Sequence, residues 1–491
     1  MEIKDRFQPD EELSADVRGR FYIDGTWVEP ATGDRFSLIS PVTEEVQLTV
    51  PAGAEQDMAA AVAAARQAFD RGGWSDLSAR DRAPYLRRMA EEVTARMPLL
   101  KRLWTAQVGA PVWVAEAFLS GAAAHFELSA DLANTYPFEE ERQTARGTAK
   151  IIREPVGVCA LIVPWNAPLY LLTQKLAAAL ISGCTVVIKP SPETPLDALV
   201  IAECAHAAGF PRGVVNVVPA DRGPGDWLVR RPEIDKVSFT GSTAAGKHIA
   251  AVCADRVARV SLELGGKSAS IFCEDADVSS WIENIAPFTM PLSGQACWSQ
   301  TRVLVPTSRK KELVEALAGF ANGATLGDPW EMSTQLGPLA SARQKARVLD
   351  YIEIGKSEGA RAVTGGGSAP NFNRGYFVSP TIFDGVTNDM RIAREEIFGP
   401  VVSVIEYRDE EDAIRIANDS DYGLSGSVFS QDQDRAERIA RRIRTGNISV
   451  NALQIDPAIP FGGFKQSGIG REAGPEGLEP YLETKVIYFP G

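Results

Sequence analysis

The chain has 491 residues, of which 45% are hydrophobic and 23% charged, a composition typical of folded globular proteins. Its 51 Lys and Arg residues and 64 Asp and Glu residues give a net charge of −13, which argues against nucleic acid as a partner. The segment MEIKDRFQPDEEL at the start lacks the apolar core of a signal peptide, and no apolar run reaches the ~20 residues of a membrane helix. We therefore expect a cytoplasmic protein of two or three domains with no membrane contact.

Metal and disulfide chemistry are not predicted. The six cysteines are scattered singly and without CxxC spacing, so neither a disulfide framework nor a structural zinc site is indicated. The three histidines, His125, His206 and His248, are not at metal-ligand spacing. We expect no metal site and no Ser-His-Asp catalysis.

The predicted elements begin with short strands over 20–50, where apolar and polar residues alternate around turn residues. Helices follow over 55–135, where apolar residues recur at helical spacing. Strands then alternate with helices in the order strand 156–163, helix 168–181, strand 185–188, helix 195–208, strand 214–218, helix 225–231, strand 236–239 and a helix after Thr243. This alternation predicts a parallel sheet that is covered on both faces.

A second alternating series begins near Ala269. Its predicted members are strand 301–305, helix 308–321, helix 340–358, strand 401–405, helix 411–417, strand 426–429, helix 432–443 and strand 448–450. The tail LETKVIYFP reads as an apolar edge strand, which often completes another subunit's sheet. The predicted fold class is α/β, with two open parallel-sheet domains and a small β arm.

The stretch FTGSTAAGKH at 239–248 has the glycine spacing of a phosphate-binding P-loop. A P-loop needs Ser or Thr after its lysine to hold Mg²⁺, and His248 occupies that position, which argues against a triphosphatase. What remains is a strand, a tight turn and a helix N-terminus able to hold a pyrophosphate. The alternative is a plain turn with Ser242 as the helix N-cap.

Three further stretches carry reactive side chains. SGQACWSQ places Cys297 after a glycine among small residues, where a thiol is accessible, although most cysteines are core residues. LELGGK places Glu263 at the end of an apolar strand, where packing explains an acid poorly. PWNAP places Asn166 at the start of a helix, where it is also a candidate N-cap.

These motifs together resemble the aldehyde dehydrogenase superfamily in order and spacing, from about residue 20 to the tail. The motifs are PWNAP (164–168), KPSPETP (189–195), FTGSTAAGK (239–247), LELGGK (262–267), GQACWSQ (294–300), EEIFGPV (395–401) and PFGGFKQSGIGRE (460–472). The resemblance implies an NAD(P)-dependent, non-acylating enzyme that forms a homo-oligomer, a dimer or a homotetramer. It implies a Rossmann-like dinucleotide-binding domain (1–132 and 154–265), a thiol catalytic domain (266–465), and an oligomerisation arm and tail (133–153 and 466–491).

The resemblance also implies a mechanism. Cys297 as thiolate attacks the aldehyde carbonyl, and the Asn166 amide holds the resulting oxyanion together with the backbone N–H of Cys297. After hydride transfer, Glu263 activates the water that hydrolyses the thioester. Acylating relatives generally lack this glutamate, so its presence here favours hydrolysis to the free acid. Lys175 and Glu472 are similar to family positions proposed to relay the proton outward, and a surface ion pair is the alternative.

The resemblance assigns the cofactor site to residues from several motifs: Ile162, Pro164, Trp165, Lys189, Gly225, Thr240, Gly241, Ser242, Leu264, Glu396 and Phe398. Lys189 would bind the adenosine ribose, Ser242 the pyrophosphate, and Glu396 with Phe398 the nicotinamide ribose. Many NAD-specific members carry Glu three residues after the lysine; this chain has Pro192 there, with Glu193 next. NAD is the preferred cofactor, and NADP is possible.

The resemblance places the aldehyde-binding residues at uncharged positions: Ala167, Tyr170, Ala296, Trp298 and Phe461, with Leu453 and Ile455 nearby. Such walls favour an apolar aldehyde, whether aliphatic, terpenoid or aromatic. The alternative is that some of these side chains only pack the core.

Overall fold

The computed structural model describes residues 4–490 and contains four sheets, of eight, seven, three and two strands. The strands of this part of the chain are, in chain order, β1 (Phe21–Ile23), β2 (Thr26–Val28), β3 (Arg35–Ile39), β4 (Val46–Pro51), β5 (Glu139–Thr144), β6 (Gly147–Pro155), β7 (Val158–Ile162), β8 (Thr185–Lys189), β9 (Val215–Val217), β10 (Lys236–Thr240), β11 (Arg259–Glu263), β12 (Ala269–Phe272), β13 (Arg302–Pro306), β14 (Arg361–Thr364), β15 (Thr381–Asp384), β16 (Val401–Tyr407), β17 (Gly426–Phe429), β18 (Ser449–Val450), β19 (Gly468–Ile469) and β20 (Leu482–Pro490).

The α-helices surround these sheets. In chain order the described residues form α1 (Pro9–Glu12), α2 (Ala15–Gly19), α3 (Glu55–Arg71), α4 (Ala79–Val108), α5 (Val112–Phe118), α6 (Gly121–Thr135), α7 (Pro168–Ser182), α8 (Leu196–Ala207), α9 (Arg222–Val229), α10 (Thr243–Asp255), α11 (Val278–Asn284), α12 (Lys310–Gly323), α13 (Ala342–Ser357), α14 (Arg391–Arg394), α15 (Glu410–Asn418), α16 (Gln433–Ala440) and α17 (Gly474–Leu478). No helix among residues 4–490 is long and apolar enough to cross a membrane.

The eight-stranded sheet has the order β19-β11-β10-β7-β8-β9-β1-β2. Its five central strands, from β11 to β9, run parallel, and the strands at both edges are antiparallel. Strands β7, β8 and β10 are buried along their whole length, as expected for parallel strands that helices cover on both faces. The carboxyl ends of β7, β8, β10 and β11 therefore lie side by side at one edge of the sheet.

The seven-stranded sheet has the order β14-β15-β16-β13-β12-β17-β18 and is parallel except for the β14–β15 pair. It follows the first sheet after a short segment, 264–268, between β11 and β12. The predicted fold class is confirmed: two parallel-rich α/β sheets and a small antiparallel one, with antiparallel strands added at the edges.

Several local predictions differ from the structure. The tail strand β20 pairs along its whole length with β6 of its own chain, in a three-stranded sheet of order β20-β6-β5. Gly468–Ile469, which the sequence analysis grouped with the tail, pairs with β11 at the edge of the eight-stranded sheet. The helix expected over 225–231 spans Arg222–Val229, with Asp221 at its N-cap.

Helix α7 connects the end of β7 to the start of β8, and its C-terminal end depends on one glycine. Gly183 adopts a left-handed conformation with φ +97°, and a Cβ there would lie 2.6 Å from a guanidinium nitrogen of Arg82. That guanidinium is buried and donates to the carbonyl oxygens of Ile181 and Ser182 at 3.0 and 3.1 Å. The glycine thus lets a buried cation satisfy the last carbonyls of the helix.

We predict that Gly183→Ala lowers the melting temperature more than Gly359→Ala does. Gly359 has nearly the same φ, +95°, but open space around its Cβ position, so both variants carry the left-handed strain of roughly 1 kcal/mol. Only Gly183→Ala also displaces the buried Arg82, at about 1–3 kcal/mol more. Thermal unfolding followed by circular dichroism checks this, and equal melting temperatures would contradict the role given to Arg82.

Candidate active site

Cys297 lies in the loop between a 3-10 turn, Pro291–Gly294, and strand β13. It is half-buried, whereas the other five cysteines are buried. The segment between the two sheets packs directly against it, because a Cβ at Gly266 would overlap the Cys297 carbonyl oxygen. A Cβ at Gly265 would overlap the Glu396 carboxylate in the same way. The Gly265–Gly266 pair therefore brings the thiol and this acid to the same junction.

The thiol opens into a cavity of about 330 Å³ between the two sheets. Asn166 lines the same cavity, and so do all five predicted aldehyde-binding residues: Ala167, Tyr170, Ala296, Trp298 and Phe461. Ile455 is also part of the wall, whereas Leu453 is not among the residues that line it. The volume lies at the lower end of the range of about 300–1,000 Å³ found for small-molecule sites.

One hydrogen bond holds the side chain of Asn166 and another holds its backbone. The side-chain amide nitrogen donates to the carbonyl oxygen of Gln295 at 3.0 Å, two residues before the thiol. The backbone carbonyl oxygen of Asn166 accepts a hydrogen bond from the indole N–H of Trp104 at 2.7 Å, which holds the main chain at this position. The alternative interpretation as a helix N-cap is wrong, since Ala167 occupies that position of α7. One amide hydrogen of Asn166 remains for a group in the cavity.

Glu263, Lys175 and Glu472 form a buried cluster behind the cavity. Lys175 and Glu472 form an ion pair whose side chains are 0% and 5% exposed, so the alternative of a surface ion pair is wrong. The Glu263 carboxylate has no hydrogen-bond partner among residues 4–490 and lies 2.8 Å from the Cβ position of Gly462. Glu263 is not among the residues that line the cavity.

Burial and neighbouring charges set the proton affinities of these groups. Burial raises the pKa of the Glu263 carboxyl, the charge of Glu472 raises it further, and Lys175 and Arg471 act in the opposite direction. Burial also raises the pKa of the Cys297 thiol, with the carboxylates of Glu396 and Glu263 adding to the shift. Glu263 is thus close enough to the thiol for the two groups to interact electrostatically.

The predicted cofactor residues gather at the carboxyl ends of the parallel strands. Ile162 ends β7, Lys189 ends β8 and Thr240 ends β10, while Leu264 follows β11. Pro164 and Trp165 follow β7, and Gly241 and Ser242 follow β10. This edge of a doubly wound sheet is where dinucleotides bind in such folds.

The groups at this edge suit a dinucleotide. Ser242 caps α10 by accepting the backbone N–H of Ala245 at 3.3 Å, which leaves the first N–H groups of the helix for an anion. The hydroxyl of Thr240 is buried and has no partner in the part of the chain that the structure describes. Gly225 allows close approach to Lys189, since its Cβ position is 3.1 Å from the lysine Cδ.

Glu396 and Phe398 reach the same groove from the other sheet. The Glu396 carboxylate accepts the backbone N–H of Gly266 at 3.0 Å, and burial raises its pKa to about 7. Phe398 adopts a left-handed φ of 63° and packs edge-on against Trp165 with ring centroids 5.4 Å apart. Gln344 holds this turn by donating to the Phe398 carbonyl oxygen at 2.7 Å.

The structure adds two polar residues to the cavity wall that the sequence analysis missed. Asp456 lines the cavity and is exposed to solvent, so the expectation of a wholly uncharged wall is wrong. Gln174 lines the cavity as well. Gln174 lies four residues after Tyr170 in α7, a helical spacing that predicts a shared face, whereas no local signal points to Asp456.

Within residues 4–490, no group of three or more His, Cys, Asp or Glu side chains is placed to hold a metal ion.

The sequence and the fold place this chain in a known class. The profile of the aldehyde dehydrogenase family matches residues 27–487, and the chain belongs to this family. The predicted activity class, an aldehyde dehydrogenase that acts with a nicotinamide dinucleotide, is confirmed.

Individual relatives are similar over nearly their whole length. The chain is 46% identical to the geranial dehydrogenase of Castellaniella defragrans over 472 residues, which are 96% of this chain and 98% of that protein. An aldehyde dehydrogenase of Mycobacterium tuberculosis in complex with NAD+ superposes with a TM-score of 0.94 at 42% identity, covering 96% and 98% of the two chains. Aldehyde dehydrogenase C of Pseudomonas syringae, in complex with NAD+ and octanal, gives 0.92 at 42% identity, covering 97% of each.

We predict that alkylation of Cys297 by iodoacetamide accelerates about tenfold per pH unit between about pH 6 and about pH 8. The raised pKa keeps the thiol protonated in this range, so the reactive thiolate fraction grows in proportion to hydroxide. Mass spectrometry of the labelled chain gives the rate and the site. Cys297→Ala removes the label as a control, and a rate that does not vary with pH would contradict the raised pKa.

Proposed function

We propose that this chain oxidises apolar aldehydes to carboxylic acids with NAD as the hydride acceptor. The observation that carries the proposal is the meeting of Cys297 and Asn166 on the wall of a largely apolar cavity, beside the strand ends that suit a dinucleotide. The comparisons support it, since a relative is named for geranial and a similar structure holds octanal, both apolar aldehydes. Transfer of such substrates from water to apolar walls is favourable.

In the proposed first step, the Cys297 thiol gives its proton to water in the cavity, and the Sγ as thiolate attacks the aldehyde carbon. A C–S bond forms, and the carbonyl π electrons move to the oxygen, which becomes an oxyanion. The free amide hydrogen of Asn166 and the backbone N–H of Cys297 donate to this oxygen. Each donor of this kind is typically worth about 3–4 kcal/mol in the transition state.

The second step converts the thiohemiacetal to a thioester. Bound NAD supplies the acceptor for the hydride that leaves the substrate carbon. Glu396 and Phe398 hold the nicotinamide ribose in this proposal, and Ser242 with the start of α10 holds the pyrophosphate. The close contact of Gly265 with Glu396 fixes where that carboxylate lies relative to the thiol.

The third step hydrolyses the thioester. Glu263 takes a proton from water, the water oxygen attacks the thioester carbon, and the C–S bond breaks to release the acid and the thiolate. Burial places the pKa of Glu263 above its usual range, nearer the working pH of a general base. Because Glu263 does not line the cavity, its side chain must turn from Gly462 towards Cys297. Glu472 and Lys175 then pass the proton outward.

The preference for NAD rests on the charges around Lys189. Its ammonium donates to the carbonyl oxygens of Pro190 and Ala220 at 2.9 and 2.7 Å, and burial lowers its pKa to about 8. The nearby carboxylate of Glu193 counteracts that shift and is itself paired with Arg343 at 2.9 Å. A 2′-phosphate placed beside Lys189 would meet the negative charge of Glu193.

We also propose the domain roles and the assembly that the resemblance implies. The eight-stranded sheet acts as the cofactor unit and the seven-stranded sheet as the thiol unit. A second copy of the chain covers the outer edge of β20, as part of a dimer or tetramer. This strand exposes an apolar run at the edge of its sheet: Val486 43%, Ile487 38%, Tyr488 73% and Phe489 49% exposed.

We predict that Glu263→Gln, with octanal and NAD, gives a burst of about one NADH per subunit followed by a steady rate lower by about 100-fold or more. The variant keeps the attack and the hydride step but lacks the base for hydrolysis. Stopped-flow absorbance checks this, with Cys297→Ala as the control that shows neither burst nor turnover. A normal steady rate in Glu263→Gln would remove Glu263 from the mechanism.

We predict that Glu193→Gln raises kcat/KM for NADP relative to NAD by about tenfold, the effect of removing roughly 1.4 kcal/mol of repulsion. Initial rates with both cofactors and one aldehyde measure the ratio. Glu353→Gln, on the exposed part of α13, removes the same charge elsewhere and is the control. An unchanged ratio in Glu193→Gln would contradict the role of this carboxylate.

A further inference from the structure

One wall of the substrate cavity is polar, although the rest is apolar. Tyr170 and Gln174 lie four residues apart in α7 and therefore share the helix face that lines the cavity. Both residues are buried, at 7% and 6% exposure. Neither the Tyr170 hydroxyl nor the Gln174 amide has a hydrogen-bond partner among residues 4–490. Neither group is among the fully buried atoms without a partner in this part of the chain, so both polar ends reach the open space of the cavity.

Asp456 lies against the same wall at the solvent end. Its carboxylate accepts the backbone N–H of Ala458 at 2.8 Å through one oxygen, and the other oxygen has no partner in the described chain. Tyr170 and Asp456 line the same cavity, and burial together with the charge of Asp456 raises the pKa of Tyr170 to about 12. Pro457 and Ala458, the next residues of this loop, border a second cavity that Gln174 also lines. The loop thus passes over Gln174.

The packing around Tyr170 keeps its hydroxyl in place. Its ring lies between Phe118, with centroids 4.7 Å apart, and His125, with centroids 4.6 Å apart. A held phenol can donate a hydrogen bond to a ligand, and it can accept one. From the N-cap Ala167, Tyr170 and Gln174 lie about 4.5 and 10.5 Å along the helix axis at 1.5 Å per residue. The polar wall therefore faces the middle and far parts of a bound aldehyde.

We propose that the polar wall formed by Tyr170, Gln174 and Asp456 selects aldehydes whose apolar chain carries a hydrogen-bond donor, such as a hydroxyl group, at its far end. The inference rests on the proposed aldehyde oxidation and specifies the substrate class. A terminal hydroxyl donates to the Asp456 carboxylate and accepts from the Tyr170 phenol. A terminal carboxylate is rejected, because it would meet the Asp456 charge beside a cavity of low dielectric.

The test measures kcat/KM with NAD for straight-chain aldehydes of graded length that end in a methyl, a hydroxyl or a carboxylate group. At the lengths that reach the polar wall, we expect the hydroxyl aldehyde to exceed the methyl aldehyde by about fivefold. We expect the carboxylate aldehyde to fall below the methyl aldehyde by about tenfold or more. A wild-type chain that oxidises the carboxylate aldehyde best would overturn the inference.

Two variants separate the parts of the wall. Asp456→Asn should raise the carboxylate-to-methyl ratio of kcat/KM by about tenfold, and Tyr170→Phe should lower the hydroxyl-to-methyl ratio, because one of the two hydrogen bonds to the hydroxyl is lost. Asp350→Asn is the matched control, because Asp350 is exposed, lies outside the cavity and forms no ion pair in the described chain. This control should keep both wild-type ratios. If Asp456→Asn shows the same carboxylate-to-methyl ratio as Asp350→Asn, the charge of Asp456 does not reject carboxylate aldehydes and the inference is wrong.

A binding measurement keeps the inference separate from the proposed activity. If none of the aldehydes is oxidised with NAD, the proposed function fails. The unreactive alcohols and diols of the same lengths, titrated by calorimetry, then report the wall alone. Tighter binding of the diol than of the alcohol, reduced in Tyr170→Phe, supports the inference, and equal binding of the two ligands to the wild-type chain overturns it.

Discussion

The close contact of two glycines with the thiol loop is the constraint on which the site depends. Strand β11 ends at Glu263, and the chain then crosses to the second sheet through Gly265 and Gly266. Any side chain at these positions would overlap the Glu396 carboxylate or the Cys297 carbonyl oxygen. The segment that links the two sheets therefore packs directly against the thiol loop, and the thiol comes to lie beside the strand ends that suit a dinucleotide.

The electrostatics of the site follow from this tight junction, since burial is the largest cause of the pKa shifts of Cys297, Glu263 and Glu396. The buried pair of Lys175 and Glu472 is a weak argument for stability, because hydrophobic residues of similar volume often replace such pairs at no cost. Its position next to the Glu263 carboxylate, which is unpartnered in the described chain, supports the proposed use of the pair, which is to accept a proton from that carboxyl during hydrolysis.

Local rules predicted the elements that carry the site better than their surroundings. Helix α7 was placed to within one residue because a proline opens it and a left-handed glycine follows it. The pair β14 and β15 was missed, since short strands of four residues give little periodicity. The motifs located Cys297, Asn166 and Glu263, but not the direction of the Glu263 carboxylate. Asp456 joins the wall only through the path of a loop, which tertiary contacts decide.

Helix α7 combines tasks that are separate in the reaction. Asn166 precedes its N-cap, Tyr170 and Gln174 face the cavity, and Lys175 faces the buried cluster. Consecutive residues of a helix point about 100° apart, so Gln174 and Lys175 serve different surroundings without any break in the helix. The residues proposed as oxyanion donor, selective wall and proton path thus keep fixed mutual distances. A shift of this one helix would change substrate choice and hydrolysis together, and the buried Arg82 that holds its end opposes such a shift.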